Sequence, residues 1–150
     1  MKLIAHRGLT NGPNIQIENR PDTIHKALSQ GYDVEIDLWA VDNKLYLGHD
    51  SPTYEIPHDF LVTDRLWIHA KNLQALTYLS QTNFVYFWHQ NDDYTLTSNG
   101  YIWTYIGKEL SNRSIMLLPE VHDTQLNNAR NVDCYAICSD YVETIRGFYE

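Results

Sequence analysis

Residues 33–41 read Asp33-Val34-Glu35-Ile36-Asp37-Leu38-Trp39-Ala40-Val41, and the first six alternate acid with aliphatic. Successive side chains of a β-strand point to opposite faces, so Asp33, Glu35 and Asp37 share one face and Val34, Ile36 and Leu38 the other. At the edge of a sheet such acids would simply face water. On an enclosed face, three carboxylates cannot all stay ionised without a compensating cation, which points to a hard, oxygen-seeking metal.

Working outward from this segment, short apolar runs predict strands at residues 2–5, 44–48, 66–71, 84–89, 101–105, 114–118 and 134–138. Helical spacing occurs at residues 21–30, where Ile24, Ala27 and Leu28 share a face and Gly31 is placed to end the helix. It recurs at residues 72–81, with Leu73, Leu76 and Leu79 in phase and Asn72 as the cap. Shorter helical patterns lie at 124–130 and 142–148. Asp42-Asn43-Lys44, between two alternating runs, reads as a hairpin. Strands that alternate with helices favour an α/β fold with a mostly parallel sheet. The common eight-stranded (β/α) barrel needs ~250 residues, and this chain has 150. The expected fold is therefore a compact or incomplete TIM-type (β/α) barrel with reduced helices. Without repeats, low-complexity tracts or linkers, residues 1–150 read as a single domain.

A composition that is 43% hydrophobic and 13% aromatic supports one sizeable core. Eleven basic against 19 acidic residues give a net charge of −8, and no basic cluster interrupts it, so nucleic acid is not an expected partner. The few apolar residues before His6 are too short for a secretion signal. The longest apolar run, residues 84–88, is far below the ~20 residues that cross a bilayer. A soluble, cytoplasmic protein with no transmembrane segment is expected, and nothing in the sequence speaks to its oligomeric state. Cys134 and Cys138, four apart on a strand, would stand roughly 13 Å apart, too far to bridge, and read as reduced core thiols.

The polar residues with chemical potential fall where strands end, which is where barrel enzymes keep their active sites. His6-Arg7-Gly8 ends the first strand and His49-Asp50 follows the third. His69-Ala70-Lys71 ends the fourth, and His89, with Asp92 and Asp93, follows the fifth. Arg7 and Lys71 bring positive charge, and an arginine fork matches the oxygens of a phosphate. Glu120 is a further acid just beyond a strand. Two histidines, a carboxylate-bound metal and basic side chains are the parts needed to cleave a phosphate ester.

The order Ile4-Ala5-His6-Arg7-Gly8, Glu18-Asn19, Ala27, Gly31, Glu35-x-Asp37 and then His49-Asp50 after a hairpin resembles the glycerophosphodiester phosphodiesterase family. That family lies within the phosphatidylinositol phospholipase C-like superfamily of barrels. The resemblance resumes at Lys71, at Trp103-Thr104, and from Val132-Asp133 to Ser139-Asp140-Tyr141. It implies that His6 and His49 form the acid/base pair and that Glu35 and Asp37 hold a divalent metal ion, magnesium, calcium or manganese. Glu18 would lie at or just behind the metal, and Arg7 and Lys71 would contact the phosphate. The substrate class implied is a small glycerol-linked or lipid-derived phosphodiester, attacked by water or first by a neighbouring substrate hydroxyl. A lyase releasing a cyclic phosphate, or a catalytically silent phosphate-binding module, would use the same groups.

The chain departs from the family at His69, two residues before Lys71, where a third metal-binding carboxylate is usual. On a strand His69 shares a face with Lys71. As a metal ligand, its nitrogen would shift preference toward manganese or zinc; as a protonated imidazole it would instead occupy the metal's electrostatic role, and little or no cation would be needed. The short stretch between His49 and Lys71 leaves little room for the insertion that often covers the substrate in this family, so an open pocket is expected.

Overall fold

Residues 33–41 lie at the centre of the sheet, with pairing partners on both edges. The computed structural model describes residues 1–150 and contains strands β1 (Lys2–His6), β2 (Asp33–Val41), β3 (Lys44–Leu47), β4 (Tyr54–Ile56) and β5 (Leu66–Ala70). They are followed by β6 (Tyr86–Phe87), β7 (Tyr94–Leu96), β8 (Ile102–Thr104), β9 (Ser114–Leu117) and β10 (Ala136–Ser139). The helices are α1 (Pro21–Ser29), α2 (Leu73–Ser80) and α3 (Val142–Arg146). The first part of β2 pairs in parallel with β1, and its last part pairs antiparallel with β3. β5 runs parallel along the opposite edge. The parallel run continues to β6 on one side and through β1, β10, β9 and β8 on the other. β4 and β7 add antiparallel strands next to β3 and β8.

The ends of this sheet curl toward each other. Tyr86 N–H donates to Ser98 Oγ at 2.9 Å, Ser98 N–H donates to Tyr86 O at 2.9 Å, and the Phe87 and Trp103 rings stack at 4.2 Å. No ladder joins β6 to β8.

The expected TIM-type (β/α) barrel is not what forms. The fold is a strand-rich, mixed sheet curled into a half-barrel, with ten strands and three short helices. The reason lies in the connections, since a parallel crossover needs about a dozen residues to carry a helix. Between β2 and β5 the chain is spent on the antiparallel strands β3 and β4, and between β6 and β8 on β7. Residues 124–130, where helical spacing predicts a helix, make only a 3-10 turn at Asn127–Ala129. Leu126 and Asn131 flank that turn with positive φ and stop it from extending.

The alternation in β2 sorts its side chains between two environments. Val34, Ile36 and Leu38 are fully buried on the outer face with Ile24 and Ala27 of α1, Ala75 and Leu79 of α2 and Val142 of α3. The inner face is apolar at its base, where Ile4, Trp67, Phe87, Trp103, Ile115 and Cys138 pack together. Asp33 at this level is neutralised by Lys2 Nζ at 3.1 Å and accepts from Trp67 Nε1 at 2.9 Å. Toward the carboxyl ends of the strands the inner face turns polar at His6, Glu35, Asp37 and His69. Both cysteines are free thiols. No helix is long and apolar enough to cross a membrane.

Asn72 ties α2 to the central strand. Its Oδ1 accepts from Ala75 N–H at 3.0 Å, capping the helix, and from Ala40 N–H at 3.2 Å, while its Nδ2 donates to Ala40 O at 2.9 Å. Asn72→Ala should lower the unfolding free energy by about 2 kcal/mol, the sum of a lost cap and a stranded backbone pair. Urea denaturation measures this, and a loss below about 0.5 kcal/mol would show that the amide carries no such weight.

Candidate active site

The turn after β1 organises the site. Arg7 and Gly8 have φ of 54° and 81°, and a Cβ on Gly8 would come within 3.2 Å of Ile24, so α1 sits directly against this turn. A left-handed conformation costs a non-glycine residue about 1–3 kcal/mol. Here it aims Arg7 N–H at Glu35 Oε2, 3.1 Å away. Asn19, also left-handed at 60°, donates its backbone N–H to Arg7 O at 2.9 Å. Its side chain grips Asp37 twice: Nδ2 donates to Asp37 Oδ2 at 2.8 Å, and Oδ1 accepts from Asp37 N–H at 3.0 Å.

Glu35 and Asp37 are both buried. His69 Nδ1 is 3.2 Å from Asp37 Oδ1 and 3.8 Å from Glu35 Oε1, while its Nε2–H donates to His89 O at 2.9 Å. His6 donates from Nδ1 to Asp140 Oδ1 at 2.8 Å and places Nε2 4.0 Å from Glu35 Oε2. Burial, reinforced by the Asp37 charge, pushes the Glu35 carboxyl up to about 7 against the opposing pull of His6, His69 and Arg7. Burial acts on Asp37 the same way, but His69, Arg7 and the Asn19 amide outweigh it and hold Asp37 below the usual carboxylate range. For His6, burial disfavours the cation, yet the Asp140 hydrogen bond and the Glu35 charge prevail and raise its pKa.

A cavity of about 400 Å³ is lined by His6, Arg7, Glu35, Asp37, His49, His69 and Lys71. A larger groove of about 740 Å³ lies beside Lys44, Glu55 and His58 and contains none of these groups. Lys71 Nζ has no partner within the protein. His49 is half-exposed, with Nδ1 2.8 Å from Asp50 Oδ1. It follows Gly48, whose carbonyl accepts from Trp39 Nε1 at 2.7 Å and where a Cβ would stand 2.0 Å from Ser51 O. Only glycine fits there.

Arg7 is turned onto acids. Its Nη1 donates to Glu18 Oε2 at 2.5 Å, and its Nε, sealed and without a hydrogen bond, lies 3.4 Å from Asp37 Oδ2. Glu18 therefore stands behind Arg7, outside the group of Glu35, Asp37 and His69 whose ligand atoms lie within 4.8 Å of one another. That group has a donor set a divalent metal accepts. With Nε2–H committed to a backbone carbonyl, His69 aims Nδ1 at the two carboxylates; a proton on that nitrogen pairs with Asp37, and a divalent ion bound there would take the proton's place.

Asp140 receives no role from sequence reasoning, and neither do Gln90 and Tyr105, which line the cavity beside His89. The signal for Asp140, His89 and Tyr105 is parity: each lies two residues beyond an inward-facing apolar residue, Cys138, Phe87 or Trp103, as Lys71 lies two beyond His69. Glu120 serves Asp140 and not a metal, its two oxygens accepting from Asp140 N–H at 2.9 Å and Ser139 Oγ at 2.8 Å.

Comparison of the chain with family models, with curated proteins and with solved structures finds no match in any of the three. The family resemblance rests on the motif residues themselves.

The raised Glu35 makes a prediction about stability. Below the ordinary glutamate pKa of about 4.3 both folded and unfolded chains hold the proton. From there to about 7 only the unfolded chain ionises, so Glu35 costs the fold stability as pH rises through that window. In chelator at pH 8, Glu35→Gln should be more stable than the parent by about 1 kcal/mol or more, and by less at pH 5. Urea denaturation at the two pH values reads this, and an equal or lower stability of the variant at pH 8 would mean the charge is already compensated.

Proposed function

We propose that this chain is a metal-dependent phosphodiesterase of the glycerophosphodiester phosphodiesterase type, acting on a small phosphodiester. The observation that carries the reading is the cavity in which His6, His49, Lys71 and the Glu35–Asp37–His69 group converge. Asp140 and Asp50 accept from Nδ1 of His6 and His49, which leaves Nε2 of each ring without a hydrogen bond and available for proton transfer. One ring takes the proton of the attacking oxygen. The other delivers a proton to the leaving alkoxide as the phosphorus–oxygen bond breaks. Lys71 is the unpaired cation that meets the phosphate, and Arg7 keeps Glu18 and Asp37 in place. Glu35, Asp37 and His69 would hold the divalent ion, which when bound supplies neutralisation of phosphate charge. A cyclic phosphate product would follow from attack by a substrate hydroxyl, an open one from water.

His6→Ala and His49→Ala should each lower turnover on a natural-type glycerophosphodiester by ~100-fold or more while leaving the protein folded. Product mass separates the cyclic from the open phosphate. Near-normal activity in either folded variant would remove that histidine from the mechanism.

The metal reading has its own test in titration of the parent and His69→Glu with magnesium, calcium, manganese and zinc. Nitrogen ligation favours transition metals, so the glutamate variant should gain affinity for magnesium or calcium and lose manganese or zinc preference. Identical profiles would show that His69 is not a ligand.

A further inference from the structure

His89 is the fourth histidine of the cavity, with its hydrogen-bonding already half determined by the backbone. It is 7% exposed, and its Nε2 lies 2.8 Å from Asp92 O. A carbonyl oxygen only accepts, so the ring hydrogen resides on Nε2. The backbone carbonyl of His89 is fixed in turn by His69 Nε2–H. Nδ1 is left as a lone-pair acceptor with no partner in the protein. Arg7 Nε is the one buried side-chain polar atom that is both sealed and unpaired, so Nδ1 is not sealed, and the residue lines the cavity. Tyr105, tilted against the His89 ring at 5.5 Å, lines the same wall, and its hydroxyl is also without a partner. The protein thus pairs one ring nitrogen and leaves the other, unsealed, for a partner that is not part of the chain. His89 also lies outside the metal-ligand group.

We infer that His89 Nδ1 is a specificity-determining acceptor, taking a hydrogen bond from a hydroxyl on the alcohol moiety of the substrate. This rests on the phosphodiesterase reading and adds to it the contact by which the alcohol is recognised. A site built to pair a substrate hydroxyl discriminates against the analogue lacking it, because the acceptor is then desolvated and unmatched. The Asp92 carbonyl supplies the selectivity: by holding the hydrogen on Nε2 it keeps Nδ1 an acceptor, so a donor is required of the ligand.

The variants separate this role from support of the loop. His89→Gln places an amide N–H near the Nε2 position, where it can still reach Asp92 O, and removes the acceptor at Nδ1. His89→Asn returns an oxygen near the Nδ1 position. The probes are 2,3-dihydroxypropyl 4-nitrophenyl phosphate and propyl 4-nitrophenyl phosphate, with the same leaving group. Dividing the kcat/KM preference of the parent by that of each variant cancels any intrinsic reactivity difference between the diesters. The parent's preference for the dihydroxypropyl diester should exceed that of His89→Gln by about tenfold or more, with His89→Asn recovering part of it. An unchanged preference in His89→Gln, or equal losses on both diesters, would overturn the assignment and leave His89 a structural residue. If the parent cleaves both diesters but the preference does not respond to residue 89, the His89 inference alone fails. If the parent cleaves neither diester, the phosphodiesterase reading falls and this contact falls with it.

Discussion

Two carboxylates buried two residues apart on one strand are the constraint around which the molecule is arranged. Moving an ionised carboxyl out of water is prohibitive unless charge and hydrogen bonds replace the lost hydration. The chain meets this demand unevenly. Asp37 receives the Asn19 amide, the His69 ring and the nearby Arg7 guanidinium, and so remains ionised. Glu35 receives the Arg7 amide and more distant histidines, and leans toward its neutral form. The left-handed turns at Arg7 and Asn19 belong to the same arrangement, since each presents a donor to one of the acids. Local backbone strain is thus tied to the compensation of buried charge.

The curled sheet provides the enclosure without a full ring of helices. Its outer face is covered by α1, α2 and α3 and by the 3-10 turns that carry Leu61 and Ala129, and its inner face is filled by aromatic and aliphatic side chains below the acids. The two histidines proposed for proton transfer stand on different mechanical footing. His6 ends a strand paired on both sides, β10 and β2, whereas His49 follows a short strand of the β3–β4 antiparallel extension. Trp39 partly offsets this by anchoring the Gly48 carbonyl to β2.

Much of the site was legible in the sequence because the period of two is unforgiving. Alternation in residues 33–38 separated the aliphatic from the acidic face, and the same rule set His69 and Lys71 on one side. The architecture was less legible. Apolar runs identify strands but carry no information about what lies between them, so the antiparallel strands at Tyr54–Ile56 and Tyr94–Leu96 went unread. A crossover can be extended as easily as helical. The purpose of Arg7 was also hidden, because sequence shows its charge and not the nearby Glu18 and Asp37 that claim it. Asp140 was hidden by distance, since its partner lies at the other end of the chain.

That separation has a consequence for biosynthesis. The His6–Asp140 contact spans 134 residues, and the β1–β10 ladder beneath it is similarly non-local. Contacts of this range form late and slowly. During synthesis the emerging chain holds every acid of the metal-ligand group and all four cavity histidines long before β10 leaves the ribosome. Until then β1 has one open edge and His6 has nothing to orient its ring. The imidazole is aligned only when the last strand docks, so completion of the site coincides with completion of the fold.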